Sequence, residues 1–218
     1  MLVERSLHPR YLSNAYLVAD EEGGTALYVD SGAPMEPLQE AAERWRVEPQ
    51  VVLRTHAHGD HVEHEGELGL LVRTDAVDVG GLRVEALATP GHSDDMVAFV
   101  VNGEAVFTGD TLFKGSVGGG SFDQIRDSVM DVLMKLPPET RVLPGHTDET
   151  TIGREWEENP FICVWRGVQP EGTESCRVAG EDATLIVWSP DYDGGGKAWV
   201  RFGDGRDAIV GGSRVERG

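Results

Sequence analysis

The sequence predicts a mixed α/β chain: a front part of alternating strands and helices followed by a smaller β-rich part. Three observations predict it. Short apolar runs alternate with helix-like amphipathic stretches through the front of the chain. Clusters of Gly, Asp and Glu punctuate those runs as turns. Near Asn159-Pro160 the composition shifts, and strand-like runs separated by Gly-rich turns take over.

Taken in order, Ala15–Val18 and Thr25–Val29 read as strands around the turn Glu21-Glu22-Gly23-Gly24. Residues 34–46 open with Pro34 and place Leu38, Ala41, Ala42 and Trp45 at helical spacing. Val51-Val52-Leu53 is a short strand running into a cluster of histidines. Strands are expected at 83–88, 96–101, 105–108 and 141–143. Between the last two, residues 121–136 carry Phe122, Ile125, Val129, Val132, Leu133 and Leu136 on one helical face, and Pro137-Pro138 stops that helix. Ala183–Trp188, Ala198–Phe202 and Ala208–Val210 read as strands of a small appendage, residues 160–218, behind a main domain of residues 1–159.

The 218 residues suffice for one full domain with its own core. With 38 acidic and 19 basic residues the chain carries a net charge of −19. A surface of that sign repels nucleic-acid phosphates and anionic membranes, so neither is an expected partner. The acidity lies mainly in the front, net −17 over residues 1–159 against −2 over 160–218. No apolar run reaches the ~18 residues of a membrane span, and the first twelve residues lack the apolar core of a signal peptide. Two cysteines, Cys163 and Cys176, make no disulfide framework; free thiols in a cytoplasmic protein are expected.

The chemistry is concentrated in Thr55-His56-Ala57-His58-Gly59-Asp60-His61, directly after a strand. Neutral imidazole and carboxylate suit Zn²⁺, and also Fe and Mn. Alternate residues His56 and His58 can face one way, while Asp60 and His61 continue round the turn to a second position. That suggests two adjacent metals. Thr89-Pro90-Gly91-His92, Phe107-Thr108-Gly109-Asp110 and Leu143-Pro144-Gly145-His146 each present a further ligand type after an apolar run. A lone histidine such as His92 or His146 would ordinarily be a surface or satisfied core residue. The clustered run, which is costly to bury unpaired, carries the later positions with it.

These motifs, THAHGDH (55–61), TPGHS (89–93), FTGDTLFKGS (107–116) and LPGHTDETTIGREWEENPF (143–161), resemble the metallo-β-lactamase fold hydrolases, and most closely their glyoxalase II-like (hydroxyacylglutathione hydrolase-like) branch. The resemblance covers roughly residues 10–162. It implies a four-layer αββα sandwich with two divalent metal ions at one edge, zinc first, with iron or manganese as alternatives. It implies that His56, His58 and His92 bind one ion and Asp60, His61 and His146 the other, with Asp110 bridging. Two such ions polarise a water so that hydroxide forms near neutral pH and attacks a carbonyl carbon, with Asp110 and Asp60 as the catalytic carboxylates. A thiolate leaves easily, so a small thioester or related ester is the expected substrate.

The chain also departs from that branch. Thirty residues separate His61 from His92, a compressed interval that opens the cleft. Gly118-Gly119-Gly120 stands where the family often has a basic residue, and Thr147-Asp148 where it has a tyrosine. Lys114 is the one nearby cation placed to meet an anionic substrate, although an exposed loop lysine is the plainer reading. His8 and His64 read as solvated, Asp94-Asp95 equally as a support for a ligand histidine or as a solvated turn, the tryptophans as core, and residues 151–156 as a capped helix. The second functional expectation is a persulfide dioxygenase using one iron on His56, His92 and Asp110; a lactonase or β-lactamase-like hydrolase follows. Homo-oligomerisation is compatible with the sequence but not encoded in any motif.

Overall fold

The computed structural model describes residues 1–217. Leu2–Leu7 (β1), Asn14–Ala19 (β2), Thr25–Val29 (β3), Glu48–Leu53 (β4) and Leu71–Arg73 (β5) form a five-stranded sheet in that order. Its first three strands are antiparallel, and β3, β4 and β5 run parallel. The crossover from β3 to β4 is α1, Glu36–Trp45, which buries Leu38, Ala41 and Ala42 against Leu17, Tyr28 and Val52. It begins two residues after Pro34 and takes Pro37 into its first turn, where a missing N–H costs nothing.

The second sheet contains Val77–Val79 (β6), Leu82–Ala88 (β7), Val97–Val101 (β8), Ala105–Gly109 (β9), Arg141–Pro144 (β12) and Thr150–Thr151 (β13), ordered β13-β12-β9-β8-β7-β6. A short hairpin, Leu112–Phe113 (β10) with Ser116–Val117 (β11), lies between β9 and β12 in the chain. The two sheets face each other across Val18, Leu27, Leu53, Phe99, Phe107 and Leu143. β2 and β9 have no exposed face, which is why their sequences read as continuous apolar runs.

A second apolar layer covers the outer face of the second sheet. Phe122–Asp127 (α4), Ile152–Glu158 (α5) and Pro160–Trp165 (α6) pack there, with Ile125, Val129, Ile152, Phe161 and Ile162 buried. The layers therefore run helix, sheet, sheet, helix; two one-turn helices, Gly59–Val62 (α2) and Glu65–Leu68 (α3), lie between β4 and β5 in the chain. The amphipathic stretch expected over 121–136 does form one helical run, but its pitch changes. After α4 it widens to a π turn at Ser128–Val132 and tightens to a 3₁₀ turn at Leu133–Lys135. The widening coincides with Ser128, whose hydroxyl donates to the Pro90 carbonyl at 2.7 Å and pins the helix to the TPGH loop.

Glu174–Val178 (β14), Glu181–Ser189 (β15), Lys197–Phe202 (β16), Asp207–Gly211 (β17) and Val215–Arg217 (β18) build a third, antiparallel sheet. Residues 160–165, read from the sequence as the start of the β-rich part, are instead helical. The Asn159 side chain caps them by accepting from Phe161 and Ile162 N–H, and Pro160 fits the first turn. The third sheet does not stand apart: its Ile186, Val187, Trp199 and Ile209 share the apolar cluster of α4, α5 and α6. Trp165 and Trp199 meet Phe122 in this layer, whereas Trp188 is exposed and stacked under Arg217. Among the described residues, no helix is long and apolar enough to cross a membrane.

Candidate metal centre

Loops at the carboxyl ends of β4, β7, β9 and β12 converge at one edge of the sandwich. The β4 end supplies His56, His58, Asp60 and His61, the last two in a one-turn helix, Gly59–Val62 (α2). The β7 loop supplies His92, the β9 end Asp110, and the β12 end His146. All seven residues singled out from the sequence therefore come together. Three overlapping groups bring ligand atoms within 4.8 Å of one another: His56, His58 and His92; His56, His61 and Asp110; Asp60, His61 and His146.

The outward ring nitrogens show why these side chains face inward as acceptors. His92 Nδ1 lies 2.9 Å from the Gly119 carbonyl and His146 Nδ1 lies 2.9 Å from the Leu12 carbonyl. A carbonyl only accepts, so each Nδ1 carries the proton and each Nε2 is left with a free lone pair. His61 Nδ1 sits 2.9 Å from the buried Asp30 carboxylate, which fixes a proton there and aims Nε2 into the site. Thr55 gives its one hydroxyl proton to Asp30 at 2.8 Å and so accepts from His56 Nδ1 at 3.0 Å. Four imidazoles thus turn their Nε2 atoms into the site. His58 turns its Nδ1 inward, 3.1 Å from His56 Nε2 and 2.9 Å from His92 Nε2.

Those contacts leave the cluster short of hydrogen-bond partners. Buried His61 Nε2 and Asp110 Oδ1 have no hydrogen-bond partner, although they lie 3.4 Å apart. Asp110 Oδ2 is 3.5 Å from His92 Nε2 and 3.4 Å from His146 Nε2, so this one carboxylate faces both histidine groups. Asp60 Oδ2 is 3.7 Å from His61 Nε2 and 3.6 Å from His146 Nε2. These spacings are too long for good hydrogen bonds and suit a set of donors facing a cation between them.

The electrostatics agree. Burial, with His61 close by, pushes His56 down to about 4, and burial likewise lowers His92, so both rings are neutral at pH 7. Burial opposes charge on His61, but Asp110 and Asp30 outweigh it and hold its pKa well above the usual histidine range. Burial would raise Asp110, yet His61 and His146 hold it well below the carboxylate range. The carboxylates thus favour positive charge in this pocket, and the donor set fits divalent cations.

Several residues of the site were not singled out from the sequence. Asp30, at the end of β3, accepts from Thr55 N–H, the Thr55 hydroxyl and His61 Nδ1 while 3% exposed. Its signal was a buried-looking strand ending in Val29-Asp30-Ser31-Gly32, a carboxylate with no surface to face. Buried Glu155 accepts from Gly115 N–H, Thr150 and Asn159, fixing the β10–β11 turn. Tyr192, from the third sheet, stacks on His146 with centroids 3.9 Å apart and planes 7° off parallel. Leu12, Asp30 and Thr147 all take left-handed backbone conformations (φ 57°, 55° and 72°), a strain concentrated around the histidines.

The remaining candidates sort differently. Asp95 accepts from Ala57 N–H and so holds the backbone of the histidine run. His8 accepts from the N–H groups of Arg10 and Tyr11, and His64 lies 3.4 Å from Glu67; neither joins the cluster. Lys114 stands at the cleft rim, 4.0 Å from Asp148. Two of the three glycines in the loop are required: a Cβ at Gly118 would fall 1.8 Å from the Asp110 carbonyl, and at Gly120 (φ 144°) 2.1 Å from the Gly91 carbonyl. Cys163 and Cys176 are buried and free.

Comparison with known proteins gives the same placement. The family model of the metallo-beta-lactamase superfamily matches residues 66–146. An uncharacterized protein of Aquifex aeolicus is 33% identical over 193 residues, spanning 68% of this chain and 90% of that protein. The cytoplasmic hydroxyacylglutathione hydrolase of Arabidopsis thaliana is 34% identical over 162 residues, spanning 61% of this chain and 62% of the plant protein. Among solved structures, ETHE1 from Myxococcus xanthus has a TM-score of 0.65 at 30% identity, covering 75% of this chain and 85% of that one. TTHA1623, solved in a di-iron-bound form, has a TM-score of 0.58 at 33% identity, covering 72% of this chain and 98% of its own. The fold, the ordered histidine and aspartate loops and these likenesses agree: the chain belongs to the metallo-β-lactamase superfamily of metal-dependent hydrolases.

Proposed function

We propose that the protein hydrolyses a small thioester or a related ester, with two divalent metal ions held in the histidine–aspartate cluster. The convergence of two ligand groups that share one carboxylate carries this reading. His56, His58 and His92 would hold one ion, and Asp60, His61 and His146 the other, with Asp110 facing both. Bound divalent ions supply Lewis acidity and make water acidic enough to deprotonate near neutral pH. Zinc is the first choice, and iron or manganese fits the same donors.

The chain's own residues set the geometry. Gly119, Leu12, Asp30 and Thr55 fix four ring orientations, so little rearrangement accompanies binding or turnover. Asp60 and His58 lie on the open side, with the buried His56, His61 and Asp110 behind them, so a substrate carbonyl approaches from the Asp60 side. The 34% identity to a hydroxyacylglutathione hydrolase over 162 residues supports a thioester over other carbonyl compounds. The second reading, a one-iron oxygenase, would use only His56, His92 and Asp110 of the cluster.

Elemental analysis of the purified protein, paired with a thioester panel, tests the reading. Two ions per chain and turnover that Asp110→Ala lowers at least ~100-fold are expected. A single iron per chain, with oxygen uptake on a thiol persulfide and no hydrolysis, would overturn it.

A further inference from the structure

Tyr192 lies in the loop between β15 and β16, far along the chain from every histidine of the cluster, yet its ring covers His146 face to face. Phe113 meets the same ring edge-on, with centroids 5.9 Å apart. The contact is not a loose loop falling on the site. Asp191 and Lys197, at the two ends of the loop, form a buried ion pair at 3.0 Å. Gly196 (φ 77°) lets the loop pass Trp188, where a Cβ would fall 2.3 Å from the indole. The third sheet touches the site loops at two further points. Ser189 meets Ser116 at 3.1 Å, and Ile209 bridges Gly120, next to the Gly119 carbonyl that holds His92.

Tyr192 also divides the space around the cluster. On one side is an open cavity of about 800 Å³ lined by Tyr11, Asp60, Val62 and Glu63. On the other is a cavity of about 300 Å³ lined by Arg5, Leu7, Leu12, Lys114 and Asp148. Tyr192 lines both. Their charges differ. The larger side presents carboxylates. The smaller presents two cations against one carboxylate: Asp148 lies 3.0 Å from Arg5 and 4.0 Å from Lys114. In a chain of net charge −19, an excess of positive charge beside the cluster is out of character with the rest of the surface. Leu7 and Leu12 give the same cavity an apolar wall.

We propose that the third sheet is part of the active site: Tyr192 walls off a subsite in which Arg5 and Lys114 receive an anionic arm of the substrate. The inference rests on the proposed hydrolysis only for the identity of the scissile bond. An arm ending in a carboxylate and carrying a short apolar segment matches the lining. The acidic side of Tyr192 repels the same arm, so the tyrosine acts by keeping the two sides apart.

The test is equilibrium binding of thioether analogues, which cannot be hydrolysed, to the metal-containing protein by calorimetry. Two matched pairs are used, carboxylate against carboxamide, with the end group on the acyl side in one pair and on the thiol side in the other. In at least one pair the carboxylate is expected to bind about tenfold tighter or better. Arg5→Gln and Lys114→Gln should each reduce that ratio severalfold. Tyr192→Ala should reduce it too, and Tyr192→Phe, which keeps the ring, should restore it. General damage to the fold would weaken both members of a pair and leave the ratio alone. Equal affinity within both pairs for the parent protein, or a ratio that survives Tyr192→Ala and Arg5→Gln, would overturn the proposal. Thioesters of the four compounds separate the two readings: a binding preference without turnover keeps the subsite and removes the hydrolase, and turnover without preference does the reverse.

Discussion

Asp30 offers the sharpest test of how the cluster is organised. Its Oδ1 accepts Thr55 N–H at 2.8 Å; its Oδ2 accepts the Thr55 hydroxyl at 2.8 Å and His61 Nδ1 at 2.9 Å. Asp30→Asn preserves shape and tolerates the left-handed backbone, but places an amide donor at one of these two atoms. If the amide nitrogen faces His61, Nδ1 must accept, and the proton moves to Nε2, the atom aimed into the site. If it faces Thr55, two buried N–H donors oppose each other. Either arrangement costs the apoprotein about 1–3 kcal/mol. The first also weakens metal binding on the His61 side by about 10–100-fold, the usual scale for removing the partner that orients a ligand. That corresponds to roughly 1.4–2.7 kcal/mol. The His56 side is affected at one remove, because the same amide faces the Thr55 hydroxyl, which then accepts from it and turns its proton toward His56 Nδ1. A competition titration against a chromophoric chelator resolves the two binding steps. Unchanged affinity in both steps, or a loss confined to the His56–His58–His92 group, would refute the tautomer reasoning.

Three further outcomes follow from the same structure. Lys197→Met leaves the buried Asp191 carboxylate without its partner 3.0 Å away, which should cost about 3–5 kcal/mol and lower Tm by roughly 10 °C; adding Asp191→Asn should recover part of the loss in calorimetry. Asp20 works against burial but accepts from Gly81, Thr25 and Glu21 N–H, which lower its pKa below 3.8. Its charged form therefore stabilises the fold fully above that value, and the contribution is lost as pH falls through the lowered pKa. The stability gap between the parent and Asp20→Asn, measured by urea titration, should be constant near neutrality and close on acidification. Stripping both ions should lower Tm by roughly 16–33 °C if each stands ~1,000-fold above its Kd, while far-ultraviolet dichroism persists; an identical Tm with and without chelator would contradict the metal assignment.

The sequence carried the ligand positions well and their supports poorly. Alternating apolar runs located β2, β3, β4, β7, β8, β9 and β12, because each is buried on at least one face and short. The His-x-His-x-Asp-His run was legible because so many ligands rarely fall together by chance. Asp30 was not, because a single carboxylate after a strand looks like any turn residue until Thr55 and His61 are brought to it. Tyr192 was hidden for a similar reason. It sits in Asp191-Tyr192-Asp193-Gly194-Gly195-Gly196, whose composition announces a turn and nothing about where the turn lands. The helical run over 122–135 was legible by period, but its change of pitch depends on Ser128 reaching Pro90, a tertiary contact with no local signature.

Each half of the cluster draws on both sheets, and this makes the packing between sheets a determinant of the chemistry. His56 and His58 follow β4 of the first sheet, but their companion His92 follows β7 of the second. Asp60 and His61 also follow β4, and their companion His146 follows β12. A slide of one sheet over the other would open both groups at once. Two devices oppose it. Apolar packing of Tyr16 on Phe107, with ring centroids 5.2 Å apart, fills the space between the sheets. Polar ties then fix the register: Tyr16 donates its hydroxyl to the Pro144 carbonyl at 2.7 Å, and Asn14 donates to Pro144 and Thr147 at 2.9 Å each. These contacts bracket His146 from the first sheet, two residues before it and one after. The ligand that closes the second group is thus held in place by β2, a strand that contributes no ligand itself and whose side chains alternate between the apolar clusters on its two faces, Tyr16 and Val18 on one and Ala15, Leu17 and Ala19 on the other.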